Sequence, residues 1–247
     1  MRELPLPRCV AIIPARYGSS RFPGKPLAML AGKPLVLHVQ ERAREAGVFD
    51  AVWVATDDER IADAVRAAGG EARMTRSDHE TGTERVAELA RDLPADSLVV
   101  NVQGDEPLLP PALLQELVHC VHEDGSIEIA TAAHPSDDAK AFHSPHVVKV
   151  VLDSRGDALY FSRAPIPHAS GVATGFLRHV GLYAFRQAAL VRFVSLPPGA
   201  LEHREGLEQL RALENGMRIR VLVTLHETLG VDTPEDLKAV AIRLGAS

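Results

Sequence analysis

The sequence predicts an α/β fold, a doubly wound and mostly parallel sheet that carries an inserted antiparallel, β-rich subregion. Three observations lead there. Apolar runs alternate with helical stripes over the first half of the chain. Those runs are continuously apolar, as parallel strands covered on both faces must be. The middle then joins β-rich segments with no helix between them.

"CVAIIP" (Cys9 to Pro14) reads as the first buried strand, followed by a helix near Leu35 to Ala46. "AVWVAT" (Ala51 to Thr56) is the second strand. Ile61, Ala64, Val65 and Ala68 then recur at i, i+3, i+4 and i+7, the stripe of an amphipathic helix. "EARMT" is a shorter strand, and Val86, Leu89, Ala90 and Leu93 mark another helix. "SLVVNV" (Ser97 to Val102) is a third strong strand, with Leu114, Leu117, Val118 and Val121 on the helix after it. "IEIATA" (Ile127 to Ala132) follows.

Val147 to Arg163 reads as a hairpin, because Ser154-Arg155-Gly156-Asp157 is a turn signal between two β-rich runs. "FLRHVGLYAFR" (Phe176 to Arg186) is a further strand. Helices resume at about Gln187 to Ser195 and Glu202 to Leu213. "IRVLVT" (Ile219 to Thr224) is another strand, and Leu237, Val240, Ala241 and Leu244 belong to a closing helix. No internal repeat or low-complexity linker occurs, so 1–247 reads as one domain with 134–186 as its insert.

The 247 residues are 46% hydrophobic, enough for one sizeable core. A net charge of -6, with Lys and Arg scattered except near the opening stretch, argues against nucleic acid or an anionic membrane as the partner. Cys9 and Cys120 are far apart and form no CxxC, which disfavours a disulfide scaffold or a thiolate zinc site and fits a reducing cytoplasm. "MRELPLPR" lacks the apolar core of a signal peptide, and no apolar run reaches the roughly 20 residues that span a bilayer. A soluble, cytoplasmic protein is the expectation. Around His119 with His122, and His143 with His146, no cysteine or acid completes a persuasive zinc set, and both read as solvated pairs.

Ligands of such sheets bind beyond the carboxyl ends of the strands, especially near the first strand–helix turn. Here that turn is "IIPARYGSSRFPGKPL" (Ile12 to Leu27). Gly18 and Gly24 permit close backbone approach, Ser19 and Ser20 add hydroxyls, and Arg16, Arg21 and Lys25 add positive charge. The loop has the ingredients to hold a polyphosphate, although it contains neither GxGxxG nor GxxxxGK[ST]. A solvated basic loop is the plainer alternative.

Two acids stand where a phosphate-bound metal would need them. Asp105 in "NVQGDEP" follows a strand, and Asp232 in "GVDTPEDL" precedes a helix start. Each also has an ordinary reading. Asp105 suits a turn, and Asp232 decorates a helix entry in which Thr233, Pro234 and Asp236 resemble a capping box. "TGTE" is likewise a plausible helix entry, with Thr81 or Thr83 as its cap.

The loop "ARYGSSRFPGK" resembles the signature of the cytidylyltransferases that activate acidic keto-sugars, in the form found in CMP-KDO synthetases; KDO is 3-deoxy-D-manno-octulosonate. CMP-sialic acid synthetases share the layout with an "ARGGSKG" style of loop. The resemblance continues in order through "VATDDERIADAV", "MTRSDHETGTER", "VNVQGDEP", "ALYFSRAPIP", "FLRHVGLYAFR", "LEHREGLEQLR" and "GVDTPEDL". It implies a Rossmann-like nucleotidyltransferase fold that transfers CMP from CTP to KDO and releases pyrophosphate, serving lipopolysaccharide assembly.

The resemblance also implies roles. Asp105 and Asp232 hold Mg2+, with Glu106 as a neighbour. Arg16 and Lys25 contact the β- and γ-phosphates and stabilise the leaving group, and Arg21 completes the clamp. Arg76 reads cytosine, and Thr83 lies in the adjoining nucleotide loop. Gln103, Arg163, His179, Tyr183, Glu208 and Gln209 form the sugar pocket. From the residues alone, Tyr183 could equally pack inward, Glu208 and Gln209 could lie on a solvated helix face, and Arg163 could pair with a surface acid. A homodimer through the 134–186 insert is a further implication. "HASGVATG" (168–175) is shorter than is usual in that family, which bears on the pocket rim or subunit boundary. The competing functions are the same reaction on an amino-KDO or a sialic acid, and a non-catalytic nucleotide-binding regulator.

Overall fold

The structure is a computed structural model and describes residues 8–18, 22–168 and 175–245. The chain divides into two compact units, 1–115 with 228–247 and 116–227.

The first unit is built on β1 (Cys9–Ala15). Val10 to Ile13 are fully buried, as a run apolar on both faces requires. A short antiparallel ribbon follows, β2 (Met29–Leu30) with β3 (Lys33–Pro34). Ala31 and Gly32 turn between them with φ of 48° and 78°. Then come α1 (Leu35–Glu45), β4 (Ala51–Thr56), α2 (Glu59–Ala67), β5 (Glu71–Met74), α3 (Gly82–Ala90) and β6 (Leu98–Asn101), and the chain passes into the second unit within α4 (Pro111–Glu123). β1 pairs in parallel with β4 and β6, and β4 in parallel with β5; Ile12 lies opposite both Trp53 and Asn101.

The helices follow their apolar stripes. α2 buries Ile61, Ala62 and Val65, and Asp58 caps it by accepting from the Arg60 N–H at 3.0 Å. Ala68, expected on that stripe, lies just past the helix end and is exposed. Thr81, not Thr83, caps α3, in a capping box with Glu84.

The second unit contains β7 (Ile129–Ser136), α5 (Ala139–His143), β8 (Lys149–Leu152), β9 (Ala158–Ser162), β10 (Phe176–Arg186), α6 (Gln187–Ser195), α7 (Ala200–Glu205), α8 (Leu210–Glu214) and β11 (Arg220–Val223). β8 and β9 form the expected hairpin, and β10 runs antiparallel to both β7 and β8. β11 joins β7 in parallel. In the hairpin turn, Gly156 takes φ +84° while Asp153 Oδ1 accepts from the N–H groups of Arg155 and Asp157.

One helix is corrected. The segment expected as a single helix from Glu202 to Leu213 is split, because Gly206 adopts φ +60° and ends α7 with a left-handed cap. Glu208 and Gln209 therefore stand in the turn before α8, not on a helix face.

The chain returns to the first unit for α9 (Pro234–Arg243), which Thr233 caps together with Pro234 and Asp236 as the sequence suggests. Leu30, Leu35, Val231 and Val240 form a buried cluster with Phe22, Leu108, Leu229, Leu237 and Ala241 packed against it. This cluster ties the chain after β1 to residues 229–241, so it decides where Asp232 stands.

Among the described residues, no helix is long and apolar enough to cross a membrane. Both cysteines are free thiols. His119, His122, His143 and His146 are all exposed, as their spacing suggests.

Candidate active site

β1 delivers the chain to Arg16, whose exposed guanidinium reaches the Glu80 carbonyl at 3.5 Å. The loop that follows is pinched shut by a hydrogen bond from the Gly24 N–H to the Tyr17 carbonyl at 2.9 Å. Gly24 has φ +73°, and a Cβ there would stand 3.2 Å from the Tyr17 ring, so both torsion and space demand glycine. The Arg60 guanidinium lies 3.5 Å over the other partner of that contact, the Tyr17 ring, and Asp58 holds Arg60 in turn. The start of α2 thus braces the base of the loop. Lys25 then opens a 3-10 turn, Lys25–Leu27, with Pro26 inside it. Arg21 lies outside the described residues.

Asp105 stands beyond β6, in a turn that crosses the end of β1. A Cβ on Gly104 would come 2.8 Å from the Pro14 carbonyl, closer than packed atoms allow. Gly104→Ala should therefore destabilise the protein by about 1–3 kcal/mol and displace Asp105. A thermal melt and a turnover assay read the two effects, and an unchanged melt would show that the turn has slack.

The Asp105 carbonyl accepts from the Val231 N–H at 2.8 Å, which seats Asp232 beside Asp105. The two carboxylates meet at one ammonium. Lys25 Nζ donates to Asp105 Oδ2 at 2.7 Å and to the Val231 carbonyl at 2.9 Å, and lies 3.6 Å from Asp232 Oδ1. Asp236 accepts from the N–H groups of Asp232 and Thr233. Burial alone would raise the Asp236 carboxyl, but the Thr233 hydroxyl and these N–H groups outweigh it and hold it below the usual range.

Lys25, Asp105 and Asp232 border a cavity of roughly 240 Å³, lined also by Pro14, Ala15, Arg16, Pro26, Thr81 and Gly82 together with Gln103, Gly104, His79 and Arg85. Cations and paired carboxylates on one wall suit a metal-bound polyphosphate. The donor set around Lys25 is all oxygen and already gathers about a positive charge, so it fits a hard divalent ion such as magnesium. Such an ion would take its remaining ligands from phosphate and water. Among the described residues, no group of three or more His, Cys, Asp or Glu could hold a metal without that help.

Arg76 does not line this cavity. Its guanidinium is largely exposed, with Nε 3.3 Å from Asp78, and its N–H bonds Glu88. Thr83 is buried, and its hydroxyl accepts from Asn101 Nδ2 at 3.3 Å. Gln103, on the cavity wall, donates to Asn101 Oδ1 at 3.4 Å. Among the titratable lining residues, two are not singled out by the sequence, His79 and Arg85. His79 sits inside the quoted "MTRSDHETGTER". Arg85 is buried on α3, donating to the Thr75 hydroxyl at 2.5 Å and pairing with Asp57 at 3.4 Å. A cation on an otherwise apolar helix stripe was the available signal.

The remaining expected sugar residues belong to the second unit. His179 shares a 3.0 Å hydrogen bond with the Thr131 hydroxyl, meets Phe161 edge-on and lies 5.5 Å from the Tyr183 ring. Burial raises the Tyr183 phenol well above its usual value, and the Glu208 carboxylate beside it adds to the rise. His179, Tyr183 and Glu208 are thus neighbours, while Gln209 is buried at the start of α8. Among the described residues, the Arg163 guanidinium pairs with no surface acid and donates instead to the carbonyls of Pro145, Glu205 and Gly206. Its N–H donates to the Glu205 carboxylate, which also accepts from Ser162.

Burial lowers His179 from 6.5 to about 3, so its imidazole is neutral at ordinary pH. Above pH 6.5 both folded and unfolded chains leave it uncharged. As pH falls toward 3 the unfolded chain gains a proton that the folded one refuses, and stability drops by up to about 1.4 kcal/mol per pH unit. His179→Gln should flatten the urea midpoint over this window. An equally steep profile in the variant would assign the slope to other groups.

A basic glycine loop and two carboxylates gathered at the carboxyl ends of parallel strands define a nucleotidyltransferase. The chain belongs to the cytidylyltransferase family, whose model matches residues 10–219, and within it to the 3-deoxy-manno-octulosonate cytidylyltransferases. It is 54% identical over 238 residues to the protein of that name from Syntrophobacter fumaroxidans, covering 94% of this chain and 95% of the relative. It is 55% identical over 242 residues to that from Anaeromyxobacter sp., covering 97% and 98%. Among solved structures, a CMP:2-keto-3-deoxy-manno-octonic acid synthetase complexed with CTP superposes with a TM-score of 0.92 at 44% identity, covering 96% of this chain and 98% of the other. A 4-diphosphocytidyl-2C-methyl-D-erythritol synthase from Anaerococcus prevotii, 14% identical with a TM-score of 0.64 and the same coverage, shares the fold alone.

Proposed function

We propose that the protein transfers CMP from CTP to the anomeric hydroxyl of KDO, giving CMP-KDO and pyrophosphate. The observation that carries this reading is the meeting of Asp105 and Asp232 at Lys25, on the wall of a cavity rimmed by the basic loop. The anomeric oxygen bonds to the α-phosphorus as the bond from that phosphorus to the pyrophosphate oxygen breaks. The hydroxyl proton passes to solvent. No residue of the chain forms a covalent intermediate.

The chain's work is positioning and charge. Arg16 and Lys25 bind the triphosphate and balance the charge that builds on the departing pyrophosphate. Arg21 would complete that clamp. Magnesium, held by Asp105 and Asp232, would neutralise the α-phosphate and lower the proton affinity of the attacking hydroxyl. Arg76 and Thr83 are assigned to the nucleotide side of the site. Gln103, Arg163, His179, Tyr183, Glu208 and Gln209 are assigned to the sugar. The neutral state of His179 suits it to hydrogen bonding with sugar hydroxyls rather than to pairing with the carboxylate.

We further propose a cytoplasmic homodimer that uses the 134–186 insert and supplies activated KDO for lipopolysaccharide assembly. The two free thiols are in keeping with the location. Pyrophosphate release measured with each of four nucleoside triphosphates, against KDO, an amino-KDO and a sialic acid, tests the reaction. CTP with KDO should exceed every other pair. Faster turnover of either other sugar would reassign the substrate, and binding of CTP without turnover would leave a regulator. Sedimentation of the active protein tests the dimer, and a monomer would overturn it.

A further inference from the structure

The loop that leads from β5 into α3 hangs on two carboxylates four residues apart on that helix. Glu84 Oε2 accepts from the Glu80 N–H at 2.9 Å and from the Thr81 N–H at 3.4 Å. One turn further along, Glu88 accepts from the Arg76 N–H at 3.1 Å and from Nε2 of His79. Side chains at i and i+4 share a helix face, so the pair forms a rack along which residues 76–81 are strung. The loop matters because His79 and Thr81 line the cavity.

We propose that Glu88 is a positioning residue for nucleotide binding, locking the His79 ring into the wall of the CTP cavity. The side chain of His79 is only 6% exposed, so its ring has one seat, and Nε2 is the atom that Glu88 holds. A carboxylate on one imidazole nitrogen fixes the ring plane, and Glu84 stands 3.9 Å from the other nitrogen, Nδ1. Glu88 keeps its charge despite burial. Desolvation pushes its carboxyl up, but the bonds from His79 and the Arg76 N–H outweigh this and bring it below the usual range. The same carboxylate also fixes the main chain that carries Arg76, so one group sets two successive parts of the nucleotide loop. Glu88 itself is absent from the cavity wall, so it acts through His79 and the loop and not by touching CTP.

This inference rests on the nucleotide reading of the cavity. Steady-state kinetics of Glu88→Ala, Glu88→Gln, His79→Gln and the Glu88→Gln/His79→Gln double variant test it. The KM for CTP should rise about tenfold in Glu88→Ala, with kcat within about twofold and the KM for KDO unchanged. The isosteric Glu88→Gln should recover part of the loss, because it keeps an acceptor for the Arg76 N–H. The double variant should be no worse than His79→Gln alone, since the two residues act as one unit. Multiplying effects in the double variant, or a loss confined to kcat, would overturn the proposal. Wild-type protein with no CTP-dependent pyrophosphate release would instead sink the nucleotide reading, and the role of Glu88 with it.

Discussion

Asp105→Asn should lower CTP-dependent pyrophosphate release by at least about 100-fold, some 2.7 kcal/mol of transition-state stabilisation, while the protein stays folded. The substitution keeps the side chain's volume and removes one negative charge at the point where the phosphates and their metal would gather. The backbone is spared, because the bond that locks this turn to residues 229–241 uses the Asp105 carbonyl and the Val231 N–H. Lys25 keeps the Val231 carbonyl at 2.9 Å. The lost ion pair is partly buried, and its loss should cost the fold about 1–3 kcal/mol, which lowers the melt but leaves a folded protein. Turnover and a thermal melt should therefore part company. Chelation of divalent ions should mimic the substitution in the wild type. Activity within tenfold of wild type would remove Asp105 from the chemistry.

How much of this was legible in the sequence depended on the range of the interaction. The strands Cys9–Ala15 and Ala51–Thr56 declared themselves because burial on both faces leaves an unbroken apolar run. The capping boxes at Thr81 and Thr233 are equally local. The split at Gly206 was missed because Leu207 and Leu210 continue an apolar pattern across it, and periodicity registers side chains, not the sign of φ. The union of Asp105 with Asp232 is a different case. It comes from a core cluster joining Leu30 and Leu35 to Val231 and Val240, and no local spacing encodes that contact. Resemblance to known cytidylyltransferases pointed to the two aspartates. The placement of His79 and Arg85 on the cavity wall needed the fold, because their partners Glu88, Thr75 and Asp57 are distributed over α3 and the ends of β4 and β5.

Lys25→Met should cost about 100-fold or more in kcat/KM for CTP, through KM and kcat alike, because a charge that binds the triphosphate and balances the departing pyrophosphate is gone. Methionine preserves most of the apolar stem, and the side chain is only 15% exposed, so packing is largely kept. What remains is two carboxylates facing each other without the ammonium between them, a repulsive arrangement that a divalent ion relieves. This makes a prediction independent of turnover. Millimolar magnesium added without CTP should raise the melting temperature of Lys25→Met by more than it raises that of the wild type, where the ion must compete with Lys25 for the same oxygens. In the wild type, triphosphate would draw the lysine toward its own charge and open the carboxylates together, so magnesium should stabilise that protein most when CTP is present. An equal magnesium response in the two proteins would mean that ammonium and metal do not share a site, and the pairing of Asp105 with Asp232 would then need another explanation.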